Sequence, residues 1–540
     1  PLLSTAPLPL FAQIKPEHIG PAITQLLADA SAAQAKATDP ATPADYDLLS
    51  SVLDIATERL GGAWGAVGHL NAVANTPELR EAYNAMLPAV TEFYTALGAD
   101  EKLYAKYKQL NEGRATLNAA RQQVLKHAIR GFVLSGAELQ GAARERFAAI
   151  QEKSAELAQA FSEHVLDATD GFAYYASADE LIGVPADVVQ AAREAAQAEG
   201  KDGHKITLHF PSYYPVMQYA ENRPLRETLY RAYVTRASEL GSEPKHDNSA
   251  LMSELLALRQ EESALLGYAN FAEVSLVPKM ANSPAEVQAF LRELAAKARP
   301  FAEKDLAELK AFAAELGLAD MQAWDQAFVS EKLKEARYAF NDQEVRQYLT
   351  APRVLAGLFD IIERLFQVKI SEAMAEVWHD TVRYYELTRD GVKVAAFYLD
   401  LYARPGKRPG AWMDEVKSRW LRPDGTQQLP VAQLVCNFSS PVGDKPALLT
   451  HDDVTTLFHE FGHGLHHMLT QVNELGVSGI SGVEWDAVEL PSQFMENFCW
   501  EWDVVQQLTH HVDTGASLPR ELFDKMVAAK NFQSGMQTAR

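Results

Sequence analysis

Two histidines and a glutamate in the run His459-Glu-Phe-Gly-His463 have the types and the spacing of a metal site. In an α-helix, residues four positions apart lie one turn apart on the same face, so both imidazoles would point to the same spot. Two neutral imidazoles in this arrangement form half of a tetrahedral zinc site, and the intervening carboxylate of Glu460 can act as the general base for a water molecule. The motif therefore predicts metal-assisted hydrolysis.

The residues around this motif have the pattern of one capped, amphipathic helix over Thr450–Leu469. Thr450 is a favourable N-cap residue, and Asp453 completes a capping box. Histidines on a polar helix face are often only solvated, but a capped helix that carries the motif opposite its buried stripe favours a metal site. At about 100° per residue, both histidines lie roughly opposite an apolar stripe that consists of Val454, Leu457, Phe458, Phe461, Leu465, Met468 and Leu469.

The third ligand must come from elsewhere in the chain. An extended motif of the metzincin type needs a glycine and a histidine where this chain has His466 and Leu469, which excludes that class. The alternative is a carboxylate on a following helix. Glu474 is expected to lie in the turn after the motif, which leaves as candidates Glu484, Asp486, Glu489 and Glu496.

A flexible reversal separates these candidates from the motif. The run from Gly476 to Gly482 is rich in glycine and serine, which lets a second helix return alongside the first. That helix is predicted over Ala487–Val504, with Pro491 in its first turn, where the missing N–H does no harm.

The spacing on the second helix ranks the candidates without deciding between them. If the two helices are antiparallel, Glu489 faces back toward the histidines, and Glu484 is the main alternative. Glu496 lies on the same face as Glu489, two turns on, where it can hydrogen-bond to a ligand histidine. His463 and His467 are also four residues apart, but no glutamate lies between them, so we expect His466 and His467 to be polar-face or supporting residues and not ligands.

Several segments resemble the thimet oligopeptidase and neurolysin family of zinc metallopeptidases. The likeness is carried by the motif itself with its continuation Gly-Leu-His-His, and by the run Val488-Glu-Leu-Pro-Ser-Gln-Phe-Met-Glu-Asn497. It covers nearly the whole chain, because three further runs also resemble that family: Leu225–Tyr233, Leu256–Glu261 and Phe397–Arg404. The resemblance implies one zinc ion, with the ligands His459, His463 and Glu489 and the general base Glu460.

The resemblance also implies a fold. We expect a mainly helical, neurolysin-like structure with a small β-sheet near the active site, in which two lobes enclose a deep channel and the zinc lies at its floor. A mostly helical lobe I would comprise residues 1–145 and 245–400. Lobe II, with the motif helix, would comprise residues 146–244 and 401–540. Similar family members continue for a further stretch that carries groups thought to bind the tetrahedral intermediate, so we expect this C-terminal part of the fold to be absent.

The implied activity is internal cleavage of short, unfolded peptides, because a channel would exclude folded proteins. The sequence does not give the oligomeric state, and we favour a monomer. Two alternatives stay open. One is a dipeptidyl carboxypeptidase on the same scaffold. The other is a zinc-bound form that binds peptides with little turnover, since donors to the intermediate are worth about 10²–10³ in rate by analogy with oxyanion holes.

Composition limits the binding partners and the cellular compartment that we expect for this chain. The chain has 540 residues, 47% of them hydrophobic, and a formal charge of −22, which argues against nucleic acid or an anionic membrane as partner. Its two cysteines, Cys436 and Cys499, have no metal or redox spacing and are expected to be buried thiols in a reducing compartment. We find no signal peptide and no run that could span a bilayer, so we expect a cytoplasmic protein.

The remaining pattern predicts helices followed by a small sheet. Amphipathic helices are expected over about 16–165, and Ser283 starts a long helix toward Ala298.

The sheet could align a peptide on its edge strand or be purely structural. Lys407 and Arg408, in a loop beside it, are expected to be solvated, with a substrate carboxylate as the alternative partner. The predicted strands are Gly171–Tyr175, Lys205–Phe210, a hairpin of Val382–Leu387 with Val392–Leu399, and Val431–Phe438.

Overall fold

Helices make up most of the chain up to Phe366. The computed structural model describes residues 1–540, and it confirms the predicted succession of amphipathic helices at the start of the chain. Caps mark their beginnings: the side chain of Thr76 accepts a hydrogen bond from the N–H of Leu79 directly before a helix that opens on Pro77. The α-helices of this part are Pro16–Thr38, Tyr46–Leu49, Ile55–Val73, Pro77–Gly98, Glu101–Glu112, Ala119–Leu134, Gly141–Asp170, Ala186–Ala198, Phe210–Tyr219, Arg223–Val234, Ser249–Leu265, Phe271–Leu276, Pro284–Glu315, Gln326–Tyr338, Asp342–Arg346 and Ala351–Phe366.

One of these helices is longer than predicted. The helix that starts at the Ser283 cap does not end near Ala298 but runs over Pro284–Glu315 and passes Pro300. A proline inside a helix removes one backbone hydrogen bond. Leu309, beyond the proline, is fully buried, and packing of this kind keeps the second half of the segment helical.

The first two predicted strands are present but short. Strand β1 (Tyr174–Ala176) pairs antiparallel with β2 (His204–Ile206). The prediction that the second strand extends to Phe210 is wrong, because Phe210 begins the helix Phe210–Tyr219. The proline that follows Phe210 suits the first turn of a helix, where no N–H is needed.

A five-stranded mixed sheet follows the helices. The predicted hairpin is confirmed, and Asp390 and Gly391 in its turn have φ values of 50° and 76°, the positive pair that a type I′ turn requires. The strands of the sheet are β3 (Lys369–Ala373), β4 (Arg383–Arg389), β5 (Val392–Tyr402), β6 (Trp412–Lys417) and β9 (Val431–Phe438), while β7 (Trp420–Leu421) and β8 (Gln427–Gln428) form a separate pair. The order in the sheet is β3-β4-β5-β9-β6, in which β5 and β9 are parallel and the other pairs antiparallel.

The sheet packs directly on the helix that carries the histidine motif. This motif helix spans His451–Met468, and its side chain Phe461 meets Phe397 of β5 edge-on, with ring centroids 5.2 Å apart. Leu434 of β9 belongs to the same buried cluster. The predicted mainly helical fold with a small sheet next to the motif is thus confirmed. The division into two lobes stays a prediction.

The predicted second helix is interrupted. In place of one helix over Ala487–Val504, the chain forms a return helix (Leu490–Glu496), a 3₁₀ turn (Asn497–Trp500) and a further helix (Trp502–Leu508). The Nε2 atom of His451 lies 2.7 Å from the carbonyl oxygen of Cys499 and donates a hydrogen bond to it. That bond occupies a carbonyl that a continuous helix would use for its own ladder.

The last two α-helices are Arg520–Ala528 and Ser534–Ala539. None of the helices combines the length and the apolar character needed to cross a bilayer.

Candidate metal centre

Local sequence builds the motif helix as predicted. The side-chain oxygen of Thr450 accepts a hydrogen bond from the N–H of Asp453 at 3.0 Å, and the Asp453 carboxylate accepts one from the N–H of Thr450 at 2.9 Å. This reciprocal capping box satisfies donors that would otherwise be orphaned at the helix start. The apolar stripe faces the sheet and holds the helix in place.

Three side chains converge on one point beside this helix. The Nε2 atoms of His459 and His463 each lie 3.1 Å from the same carboxylate oxygen, Oε2 of Glu489. Glu489 is the N-cap residue of the return helix. The reversal that brings it back contains Gly479 and Gly482 with φ of 59° and 74°, a backbone conformation that favours glycine.

Glu496 fixes the orientation of one imidazole. Its Oε1 atom lies 2.6 Å from Nδ1 of His459, and a carboxylate oxygen can only accept from that nitrogen. With its proton on Nδ1, the ring presents the lone pair of Nε2 to the convergence point. This is the contact that the spacing on the second helix predicted for Glu496.

The ionisation states suit a cation. Burial lowers the pKa of His463 below its usual value, which keeps the imidazole neutral. Burial alone would raise the pKa of Glu489, but the hydrogen bond from Ser492 and the facing histidines bring it below the usual range, so the carboxylate is ionised. Two neutral imidazoles and one carboxylate are a donor set that zinc takes in hydrolytic sites.

The geometry also fits an ion. One ligand atom from each of the three side chains faces a common point, and these atoms all lie within 4.8 Å of one another. No other cluster of histidine, cysteine or acidic side chains with such spacing exists in the chain. The residues present therefore fit a zinc ion.

Glu460 is buried next to this cluster and is chemically available. Its Oε2 atom is buried without a hydrogen-bond partner in the protein. Burial raises the pKa of Glu460 to about 7, and the negative charge of Glu489 reinforces this effect. A carboxylate with a pKa near neutrality and a free oxygen can both accept and release a proton at physiological pH.

The other acidic candidates lie elsewhere. Glu474 accepts hydrogen bonds from the Tyr46 hydroxyl at 3.1 Å and from Nε of Arg121 at 2.8 Å. The Asp486 carboxylate accepts hydrogen bonds from the backbone N–H groups of Met280 and Ala281, in the loop that precedes the helix Pro284–Glu315. Glu484 is not part of the cluster that includes the two histidines.

The two histidines that follow the motif lie outside the cluster, and one of them has a structural partner. Nε2 of the fully buried His467 donates to the carbonyl oxygen of Lys417 in β6 at 2.8 Å. His466 is half-buried, and its Nδ1 atom has no partner in the protein. Neither belongs to the cluster at Glu489.

The expectation that Lys407 is solvated is wrong. Its side chain is completely buried, and Nζ donates to Oδ1 of Asp400 at 2.9 Å and to the carbonyl oxygen of Tyr402 at 2.8 Å. Arg404 shares the same carboxylate. An aspartate inside an otherwise apolar strand was the available signal, because a buried carboxylate requires a charged partner.

Two family profiles and several known proteins match this chain. The family profile described as Peptidase family M3 matches residues 216–540, and the profile described as Neurolysin/Thimet oligopeptidase, N-terminal domain, matches residues 23–144. Oligopeptidase A of Salmonella typhimurium is 47% identical over 99% of this chain and 80% of its own length. Oligopeptidase A of Escherichia coli is 46% identical over the same shares, and the dipeptidyl carboxypeptidase of that organism is 30% identical over 98% of this chain and 78% of its own length.

A solved structure has the same fold. The structure titled PZ peptidase A with inhibitor 2 superimposes with a TM-score of 0.52 at 13% identity, covering 98% of this chain and 74% of the other. The family profile spans more than half of the chain, and the relatives align over nearly all of it. The chain belongs to peptidase family M3.

Proposed function

We propose that this chain is a zinc-dependent oligopeptidase that cleaves short, unfolded peptides internally. The proposal assigns His459, His463 and Glu489 as the zinc ligands and Glu460 as the general base. The observation that carries it is the convergence of both Nε2 atoms on one oxygen of Glu489 at 3.1 Å, with a buried, unpartnered carboxylate beside them. Similarity to proteins named oligopeptidase A supports the substrate class.

A zinc ion held by these three side chains would polarise the scissile carbonyl and lower the pKa of water. Glu460 then takes a proton from the attacking water as the water oxygen bonds to the carbonyl carbon. The same carboxyl group passes that proton to the leaving amine nitrogen as the carbon–nitrogen bond breaks. The pKa of Glu460, raised to about 7 by burial, suits a group that must perform both transfers.

Peptide alignment by the sheet is part of the proposal. Strand β6 is the outer strand beside β9, so one row of its backbone groups has no strand partner. Because the carbonyl of Lys417 in β6 holds His467 of the motif helix, the edge lies against the element that carries the site. An extended peptide could pair with such an edge. The two lobes and the channel between them, with the boundaries given above, also remain part of this proposal.

The test of the mechanism is Glu460→Gln. Glutamine keeps the shape of the side chain but cannot accept the proton, so we expect unchanged zinc content and a loss in peptide cleavage on the order of 10²–10⁴-fold. Metal analysis combined with a quenched-fluorescence peptide measures both. Glu484→Gln, a glutamate outside the cluster, is the matched control. Cleavage by Glu460→Gln at the wild-type rate would exclude this residue as the base.

A dipeptidyl carboxypeptidase is the second candidate, favoured by the relatives of that name at about one third identity. An endopeptidase should cleave a peptide with an amidated C-terminus, whereas an enzyme that needs the terminal carboxylate should not. Binding of peptide without either product would instead support the non-hydrolytic form.

We also propose a cytoplasmic, monomeric enzyme. Both cysteines are free and buried, and burial raises the pKa of Cys499 to about 12, which keeps the thiol protonated and unreactive. Cell fractionation tests the cytoplasmic location, and light scattering tests the monomeric state.

A further inference from the structure

The motif helix and the return helix come into backbone contact at Gly462. A Cβ atom placed on Gly462 would lie 2.4 Å from the carbonyl oxygen of Pro491 and 2.5 Å from Cα of Ser492. Both distances are far below van der Waals contact, and both partners are backbone atoms that cannot rotate away. Only glycine therefore permits this approach of the two helices.

This contact sits close to the third ligand of the proposed site. Glu489 caps the return helix, and Pro491 and Ser492 form its first turn. The spacing between the helices at Gly462 therefore sets how far the Glu489 carboxylate reaches. Zinc–ligand bonds tolerate deviations of only about 0.2 Å, so a displacement of the return helix by a side chain at Gly462 would take the carboxylate out of bonding range.

Ser492 orients the same carboxylate. Its side chain is completely buried, and its Oγ atom lies 2.7 Å from Oε2 of Glu489 and 2.9 Å from the Glu489 carbonyl oxygen. Oε2 is the oxygen that faces both histidines. The hydroxyl thus restricts the rotamer of Glu489, and the Cα atom of this serine is one of the two atoms in contact with Gly462.

We propose that Gly462 and Ser492 are positioning residues for Glu489: the glycine sets the distance between the two helices and the serine fixes the carboxylate rotamer. This inference rests on the proposed function, because it takes Glu489 as a zinc ligand. Groups that hold metal ligands in place are typically worth about 10–100-fold in metal affinity.

The first test is Gly462→Ala, with Gly464→Ala as the matched control on the same helix. The control gains the same helix propensity, but its new Cβ meets only the ends of the flexible Leu434 and Met468 side chains, the nearest at 3.1 Å, and these can shift. Zinc dissociation constants of the metal-stripped proteins are measured by competition with a chelator. We expect affinity to fall about 100-fold in Gly462→Ala and less than threefold in Gly464→Ala. Folded Gly462→Ala with wild-type affinity would overturn the proposal.

The second test keeps the proposal decidable if Gly462→Ala does not fold. Ser492→Ala removes the hydroxyl without adding volume, and Ser478→Ala is its control, since Ser478 is equally buried but its Oγ has no partner. We expect about tenfold weaker zinc binding in Ser492→Ala only, with the melting temperature of the metal-free protein nearly unchanged. Lower thermal stability with unaltered zinc affinity would mean a merely structural serine and would contradict the assignment.

Glu489→Gln separates failure of this inference from failure of the proposed function. Loss of zinc in Glu489→Gln together with normal zinc binding in both positioning variants would overturn the positioning roles alone. Wild-type zinc affinity in Glu489→Gln would overturn the proposed ligand set and, with it, this inference.

Discussion

At the scale of single residues, the site depends on which nitrogen of His459 carries the proton. Glu496 settles this by accepting from Nδ1, so that Nε2 is left with its lone pair at the point where Glu489 and His463 meet. A ligand held in one tautomer loses less entropy and no proton when it binds a metal.

Glu496→Gln should therefore weaken zinc binding. The amide oxygen can still accept from Nδ1, but the hydrogen bond loses its ionic character. We expect about tenfold lower zinc affinity, measured by chelator competition, with no such effect in Glu484→Gln. Equal affinities in wild type and Glu496→Gln would show that the carboxylate does not tune this ligand.

A second residue-scale prediction concerns pH and His69, which lies away from the metal site between Phe11 and Trp378. Burial lowers the pKa of His69 to about 3, so the folded protein holds it neutral. The unfolded chain, with a pKa near 6.5, binds a proton below that pH. The unfolded state thus binds more protons between pH 6.5 and 3, and stability falls as the pH falls through this window.

His69→Phe keeps an aromatic ring at this position and removes the titration. Relative to wild type, we expect the variant to lose about 1.4 kcal/mol less stability per pH unit below pH 6. Urea unfolding at pH 7, 6 and 5 measures the difference. Parallel pH profiles for the two proteins would contradict a neutral, buried His69.

At the scale of elements, the motif helix is held from the face opposite its histidines. Phe461 is fully buried and meets Phe397 of the sheet and Phe359 of the helix Ala351–Phe366 at ring centroid distances of 5.2 and 5.9 Å. The position of the metal site is therefore set by the packing of helix on sheet.

Phe461→Ala should be strongly destabilising. Removal of a fully buried phenylalanine loses its transfer free energy and leaves a cavity, which costs about 3–5 kcal/mol. Phe494→Ala, at a side chain that is 54% exposed on the return helix, is the control and should cost about 1 kcal/mol or less. Urea unfolding curves compare the two. A cost of less than 1 kcal/mol at Phe461 would mean that the sheet does not support the motif helix.

At the scale of the whole molecule, long-range ties fix the segment between the motif and return helices. Glu474 binds it to Arg121 and Tyr46 of the N-terminal helices, and Asp486 binds it to the loop that precedes the helix Pro284–Glu315. Glu474, expected in the turn, and Asp486, a candidate ligand by spacing, thus hold the chain path that brings Glu489 to the histidines.

A buried ionic network ties the sheet to the N-terminal helices. Asp400 of β5 receives hydrogen bonds from Arg404, Lys407 and Trp378. Arg404 also donates to the carbonyl oxygen of Val73 at 2.8 Å. Burial alone would raise the pKa of Asp400, but the Arg404 and Lys407 cations lower it below the usual value, so the carboxylate stays ionised inside the protein.

None of the three metal ligands takes part in these long-range hydrogen bonds or in the hydrophobic core, so removal of the metal should leave the fold intact. A chelator is expected to abolish peptide cleavage while far-UV circular dichroism stays unchanged, and added zinc should restore activity. The melting temperature should rise with zinc, since a ligand at 1,000 times its dissociation constant adds about 4 kcal/mol to stability. Unfolding on chelation would instead make zinc a structural requirement.

The sequence by itself determined what depends on local interactions. The capped motif helix, the spacing of its two histidines, the cap at Thr76 and the type I′ hairpin turn all follow from neighbouring residues, and all are present in the structure. Backbone hydrogen bonds and side-chain periodicity act over a few residues, so a sequence pattern is enough to predict them.

Only the tertiary structure decided between groups of equal chemistry. Glu484, Asp486, Glu489 and Glu496 are all carboxylates that spacing leaves as candidates, and in the structure only Glu489 meets both histidines, while Asp486 is held by a distant segment. The same holds for the break in the second helix, where a side chain 48 residues away hydrogen-bonds to a backbone carbonyl, and for buried Lys407, whose partner lies on a strand. Burial and long-range hydrogen bonds depend on which elements meet, and sequence spacing does not contain that information.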